Sequence, residues 1–166
     1  MDEDDFYALR TAYYIGDYSK VDKEYKNLSS LSGLKAKERD SFLCRSFIAQ
    51  SRFKEASKLA KGESSPMVAC KQLLTYRQSK DEQAKEIAID NLKEYLKESS
   101  YLDNATFCVI ASTIFLEEGM YREALELVVS TGSGSSPKLE KLLQELCIYL
   151  RINRQDLALK ALQKMK

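Results

Sequence analysis

The sequence predicts an all-α protein built from antiparallel helical hairpins in series. Three observations carry that expectation. Apolar residues recur with helical spacing along nearly all of the 166 residues, and the alternating β-branched runs that mark strands are missing. Helix breakers are rare: proline occurs only as Pro66 and Pro137, and there are six glycines. A turn pattern returns along the chain at one fixed period or at twice that period.

The periodicity places ten helices, over 4–15, 18–28, 35–50, 53–61, 66–78, 81–98, 103–118, 121–130, 137–151 and 155–165. The first ends at Gly16 and the second follows it. The third ends at Ser51, and the fourth starts two residues later. Pro66 and Pro137 each follow two serines, so a serine can cap and the proline can take the first helical position of the fifth and ninth helices. KDEQAKEIAIDNLKEYL reads as one helix from near Asp81. Asp103 can cap the seventh, which holds the longest apolar run, FCVIASTIFL over Phe107–Leu116. That run is far shorter than the roughly 20 residues of a spanning helix and reads as core. Gly119 precedes the eighth helix and Asn153 the tenth. TGSGSSP, Thr131–Pro137, reads as a flexible connector.

LEEGMYREAL over Leu116–Leu125 shows the repeat. YYIGDYSKV, IAQSRFKEA and LRINRQDLA share its form: a helix ends at Gly16, Ser51, Gly119 or Asn153, and another begins. The spacing from Ala124 to Ala158 sets the period, and it matches the roughly 34-residue repeat of tetratricopeptide hairpins. Ala56 and Ala124 lie two such periods apart, and so do Phe53 and Tyr121. This period together with this turn is the tetratricopeptide signature. The turn residue takes a left-handed conformation, the aromatic wedges between the two helices, and the alanine lets them approach. Tyr18 sits one residue off the register, and the unit expected to turn near Lys85–Ile87 is degenerate. The predicted fold is a tetratricopeptide-like solenoid of about five antiparallel hairpins, a right-handed superhelix forming one domain over 1–166. A plain antiparallel bundle is the competing reading; it shares the fold class but has no concave groove.

Composition narrows the function. The chain is 44% hydrophobic and 31% charged, with 26 basic and 25 acidic residues and a net charge of +1. That balance suits a globular domain and argues against a nucleic-acid scaffold. The acidic start MDEDDF is unlike an export signal. Cys44, Cys70, Cys108 and Cys147 are widely spaced in apolar helices and read as core thiols in a reducing compartment. The sequence contains no histidine, so histidine triads and histidine-ligated metals are excluded, and no metal or cofactor is expected.

Candidate chemistry is thin. SRFK, Ser51–Lys54, has the Ser-x-x-Lys spacing but falls on a hairpin turn and reads as a surface pair. TGSGSSPK lacks the phosphate-loop pattern. Glu117 and Glu118 are adjacent on a helix and point apart. The glycosylation spacings at Asn27 and Asn104 are expected to be unused. No catalytic residue is expected. Tyr7, Tyr13, Tyr14 and Tyr18 cluster in the first hairpin, where they either pack it or anchor a partner.

Four stretches in order, DDFYALRTAYYIGDY, ERDSFLCRSFIAQSRF, NATFCVIASTIFLEEGMYREAL and LCIYLRINRQDLALKALQKM, resemble the N-terminal half of the epsilon subunit of coatomer, the COPI vesicle coat. The matching residues include Phe6, Tyr14-Ile15-Gly16, Tyr18, Glu38-Arg39-Asp40, Arg45, Ala49-Gln50, Asp156-Leu157-Ala158 and Lys164-Met165. The resemblance covers nearly the whole chain and is poorest between Pro66 and Tyr101. ERDxFLxR is its most specific word.

The resemblance implies a noncatalytic subunit of a cytoplasmic coat on Golgi membranes and COPI vesicles, active in Golgi-to-ER return. It implies that the C-terminal region of the alpha subunit is the partner and that membrane contact is indirect. It also implies further repeats beyond Lys166. A face around Ile152, Leu159 and Leu162 left bare at the end of a solenoid would favour self-association. The first helix of each hairpin usually lines the groove, which nominates Tyr7, Arg10, Tyr14, Arg45 and Thr113 as exposed partner contacts. A general peptide-binding adaptor of co-chaperone type is the alternative, although no clamp of basic and amide residues recurs at the repeat period.

Overall fold

The computed structural model describes residues 6–130 and 138–165. Among these residues it is all-helical. The elements are α1 (Tyr7–Tyr14), α2 (Tyr18–Asn27), α3 (Gly33–Ala49), α4 (Phe53–Leu59), α5 (Ser65–Gln78), α6 (Glu82–Tyr95), α7 (Ser99–Leu102), α8 (Ala105–Glu117), α9 (Tyr121–Ser130), α10 (Lys138–Arg151) and α11 (Gln155–Lys164). They fall into two compact units, Met1–Gln78 and Ser79–Lys166.

In the first unit, α1 pairs with α2 and α3 with α4, and α5 packs on both α3 and α4. In the second, α8 pairs with α9 and α10 with α11, while α6 and α7 lie against α8. The second helix of a hairpin also meets the first helix of the next: α2 on α3, α4 on α5, α9 on α10. Ser41–Ser46 of α3 and Ala105–Ser112 of α8 are buried without interruption.

These four hairpins turn in the same way. Gly16, Ser51, Gly119 and Asn153 have φ of 79°, 59°, 74° and 58°. At each, the amide of the next residue reaches back five residues, Asp17 to Ala12, Arg52 to Phe47, Met120 to Phe115 and Arg154 to Tyr149, at 2.8–3.0 Å. The amide of the turn residue itself reaches back three residues, at 3.0–3.2 Å. This is the Schellman closure, which satisfies carbonyls the helix end would otherwise leave open. The following helix always starts two residues after the turn, at Tyr18, Phe53, Tyr121 or Gln155. Tyr18 therefore keeps the register of its own turn. The one-residue offset arises because the step from Gly16 to Ser51 is one residue longer than the repeat period.

Ser51 bears a side chain in a conformation that costs L-residues about 1–2 kcal/mol. Ser51→Gly is expected to raise stability by about 0.5 kcal/mol after glycine's extra chain entropy is set against that relief. Gly119→Ala is expected to lose about 1–2 kcal/mol, because an added Cβ there meets nothing closer than the Tyr121 hydroxyl at 3.9 Å and only the backbone objects. Urea unfolding midpoints of the two variants check both signs.

Three local expectations change. The helix expected over 81–98 stops at Tyr95, and a separate one-turn helix, α7, follows from Glu98, whose extended backbone (ψ 128°) breaks the path. The cap of α8 is Asn104, not Asp103: the Asn104 side chain accepts the Phe107 amide at 2.8 Å. Pro66 takes the second position of α5, behind Ser65. Pro137 and the connector Thr131–Pro137 lie outside the described residues. Asp81 caps α6 by accepting the Gln83 amide at 3.1 Å, and the helix runs straight through Lys85–Ile87.

Candidate interaction site

Small residues set the helix spacing within each hairpin. Ala56, Ala124 and Ala158 are 0%, 0% and 4% exposed, and Val21 takes the corresponding place after Gly16. Two hairpins add a hydrogen bond there. The Cys44 thiol donates to the Ala56 carbonyl at 3.6 Å, and the Ser112 hydroxyl donates to the Ala124 carbonyl at 2.9 Å. Cys44 and Ser112 lie two repeat periods apart, as Ala56 and Ala124 do, so this tie recurs in register. The sequence reading missed it, although the spacing was there to find.

The first hairpin and α3 share an aromatic cluster. The Phe6 and Phe42 rings are 6.5 Å apart, Tyr13 meets Phe42 edge-on at 5.9 Å, and Tyr14 meets Tyr13 edge-on at 5.1 Å. The Arg45 guanidinium lies 4.5 Å from the Tyr13 ring centre, 5.2 Å from Phe42 and 5.9 Å from Tyr14. It also donates to the Tyr14 hydroxyl at 3.2 Å. Arg45 is 5% exposed, so the expectation of an exposed contact is corrected: ring faces compensate the guanidinium for lost water. Its reach outward is through Tyr14, which stays 40% exposed.

The other nominated contacts divide. Tyr7 on α1 is 67% exposed, and Ile15 beyond Tyr14 matches it, so the outer side of α1 is aromatic and aliphatic. Tyr13 and Tyr18 are half-buried, so the tyrosine cluster both packs and projects. Arg10 is half-buried. Thr113 is also half-buried, and its hydroxyl donates to the Val109 carbonyl at 2.9 Å along its own helix.

The ERD word is a staple between α2 and α3. Arg39 donates from Nη2 to Asp40 Oδ1 at 2.7 Å and from Nη1 to the Leu28 carbonyl at 3.0 Å, and its guanidinium covers the Tyr25 ring at 4.5 Å. The Tyr25 hydroxyl donates to Asp40 at 3.1 Å. Burial, and then the Asp40 charge, push the Tyr25 phenol above its ordinary value. At the next turn Arg52 chelates Glu55 and covers the Phe47 ring at 4.3 Å. That hydrogen bond holds the Glu55 carboxyl below its usual range and raises the Arg52 guanidinium. At the last turn Arg154 does the same for Asp156, whose carboxyl falls to about 2. Both pairs are solvent-exposed and add little stability.

The remaining candidates fall apart as chemistry. Ser51 and Lys54 are exposed around the left-handed turn. Glu118 faces a cleft of about 330 Å³ with Glu86, Asp90 and Lys93. Cys44, Cys70 and Cys108 are buried and Cys147 is half-buried. Burial raises the Cys108 thiol to about 12 and lifts Cys147 as well, so neither is a ready nucleophile. Among the described residues no cluster of three or more candidate ligands could hold a metal, and no helix is long and apolar enough to cross a membrane.

These features define an all-α protein of serial helical hairpins in which Arg39 and Arg45 of α3 join neighbouring helices through aromatic rings. Comparison with known proteins gives the family. The family model of the coatomer epsilon subunit matches residues 2–166, and the chain belongs to that family. It is 32% identical to coatomer subunit epsilon-1 of Arabidopsis thaliana over 166 residues, covering 98% of this chain and 53% of the relative. It is 29% identical to coatomer subunit epsilon of Dictyostelium discoideum over 174 residues, covering all of this chain and 56% of the relative. Coatomer subunit epsilon-1 of Oryza sativa subsp. japonica is 32% identical over 164 residues, with 96% and 53% covered. The chain thus spans about half the length of these relatives.

Proposed function

We propose that this chain is a noncatalytic scaffold subunit of the COPI coat that binds and stabilises the alpha-coatomer subunit in Golgi-to-ER retrograde transport. It works as one tetratricopeptide-like repeat domain in the cytoplasm, reaching Golgi and vesicle membranes only through the coat. The observation that carries this reading is the family match across residues 2–166. The use of the ERDxFLxR side chains supports it, because Arg39, Asp40, Phe42 and Arg45 hold hairpins together. The exposed side of α1, with Tyr7 and Tyr14, supplies the partner contacts, and Arg45 fixes Tyr14 from behind. Tyrosines of this kind give large contact area at low entropy cost. The chain also self-associates through the face around Ile152, Leu159 and Leu162, which are 36%, 56% and 43% exposed.

Co-expression with the C-terminal region of the alpha subunit from the same organism, followed by size-exclusion chromatography with light scattering, tests the coat reading. Co-elution at a fixed ratio is the expected result, and Tyr7→Ala with Tyr14→Ala should weaken it at least about tenfold. Separate elution of the two chains, under conditions in which a full-length family member co-elutes with the same region, overturns the reading for this chain.

A further inference from the structure

We propose that the groove between α6 and the α8–α9 hairpin docks a basic amphipathic helix of a partner polypeptide. Two clefts of about 330 and 280 Å³ make this groove, and Lys93 lines both. Its floor is apolar. Ile89 of α6, Phe115 of α8 and Leu127 of α9 are buried, Leu96 and Met120 are half-buried, and Leu102 of α7 is left 36% exposed. Both walls lie within one compact unit, so the groove is complete in itself. It uses none of the α1 and α3 residues assigned to the alpha-subunit contact and is a separate surface.

Charge selects the occupant. The rim carries Glu86, Asp90, Glu118, Glu123 and Glu126, all exposed, against Lys93 alone. The whole chain is balanced at +1, so acid is gathered at this groove. Neighbouring cations answer part of it. Lys93 lies 3.9 Å from Asp90 and Arg122 lies 3.0 Å from Glu126, while Lys85, held by Glu82 at 2.8 Å, also feels Glu118. Glu86 on the α6 wall and Glu123 on the α9 wall make no ion pair among the described residues. An apolar floor between two acidic walls suits a helix with leucine-like side chains on one face and lysine or arginine on its flanks. An acidic helix would set like charges against Glu86 and Glu123, and nucleic acid or an anionic lipid surface is repelled for the same reason.

Fluorescence anisotropy with the full chain tests this. The probe is a short labelled helical peptide with leucine on one face and lysine elsewhere. Saturable binding is expected, and Glu86→Lys combined with Glu123→Lys should weaken it at least about tenfold. Both positions are exposed on helices and tolerate lysine. Glu24→Lys with Glu63→Lys, an equal change of charge in the first unit, should leave binding unchanged. Replacing the peptide's leucines by alanine should also weaken binding at least about tenfold, because the floor then loses its contacts. Hydrogen exchange places the site, with the peptide slowing amides along α6 and α9. Absence of binding, equal binding of a peptide with glutamate in place of lysine, or equal weakening by the first-unit pair overturns the groove. None of these outcomes touches the coat reading, which stands or falls on co-elution with the alpha subunit.

Discussion

Replacing Arg45 by alanine is expected to destabilise the first unit by about 3 kcal/mol, the sum of a lost cation–π contact and the cavity left behind. Arg45 is 5% exposed and stacks within 5.9 Å of three ring centres on two helices. A desolvated cation–π contact contributes about 2 kcal/mol or more, and truncation also opens space between Tyr13 and Phe42. Arg45→Lys should recover only a minor part, since an ammonium cannot lie flat against rings or keep the guanidinium's fork. Amide exchange followed through α1 and α3 checks the effect where it arises. A loss below about 1 kcal/mol would mean that the rings repack without the guanidinium.

Enlarging Ala124 to leucine is expected to cost the second unit about 3 kcal/mol, at the upper end for overpacking. Ala124 is fully buried, and its carbonyl accepts the Ser112 hydroxyl at 2.9 Å, which holds α8 and α9 close at that level. Extra methylenes have no volume to enter unless the two helices part and the bond breaks. Ser112→Ala, which removes only the bond, should cost about 1 kcal/mol. The difference between the two variants in urea unfolding separates steric spacing from hydrogen bonding. The matching pair Ala56→Leu and Cys44→Ala should repeat the ordering in the first unit, with a smaller bond contribution because a thiol is a weak donor at 3.6 Å.

Much of this architecture is legible in the sequence, because the helices are long, periodic and separated by few breakers. The turn residues stand out by type: glycine, serine and asparagine tolerate left-handed backbone or bind their own main chain. What stayed hidden has physical reasons. Val21 plays the part of the small residue in the first hairpin, but a β-branched residue one step off the repeat matches neither the alanine nor the period. The one-turn helix α7 is too short to carry periodicity. Asp103 and Asn104 are both good caps, and only the backbone decides between them. Arg45 reads as surface because charge usually is; its shelter comes from Tyr13, Tyr14 and Phe42, which spacing alone does not bring together. The outward side of α1 is hardest to read, since Tyr13 and Tyr14 are neighbours with opposite fates.

The four turns have a consequence for how such a chain can change. Their joints are closed by main-chain bonds, and one chain already builds them from glycine, serine and asparagine. The joint therefore accepts residues other than glycine, at the cost of about 1–2 kcal/mol that left-handed backbone imposes on a side chain. Substitutions along the helices leave untouched the closures that depend on the main chain. A lineage built this way loses its recognisable words long before it loses its shape.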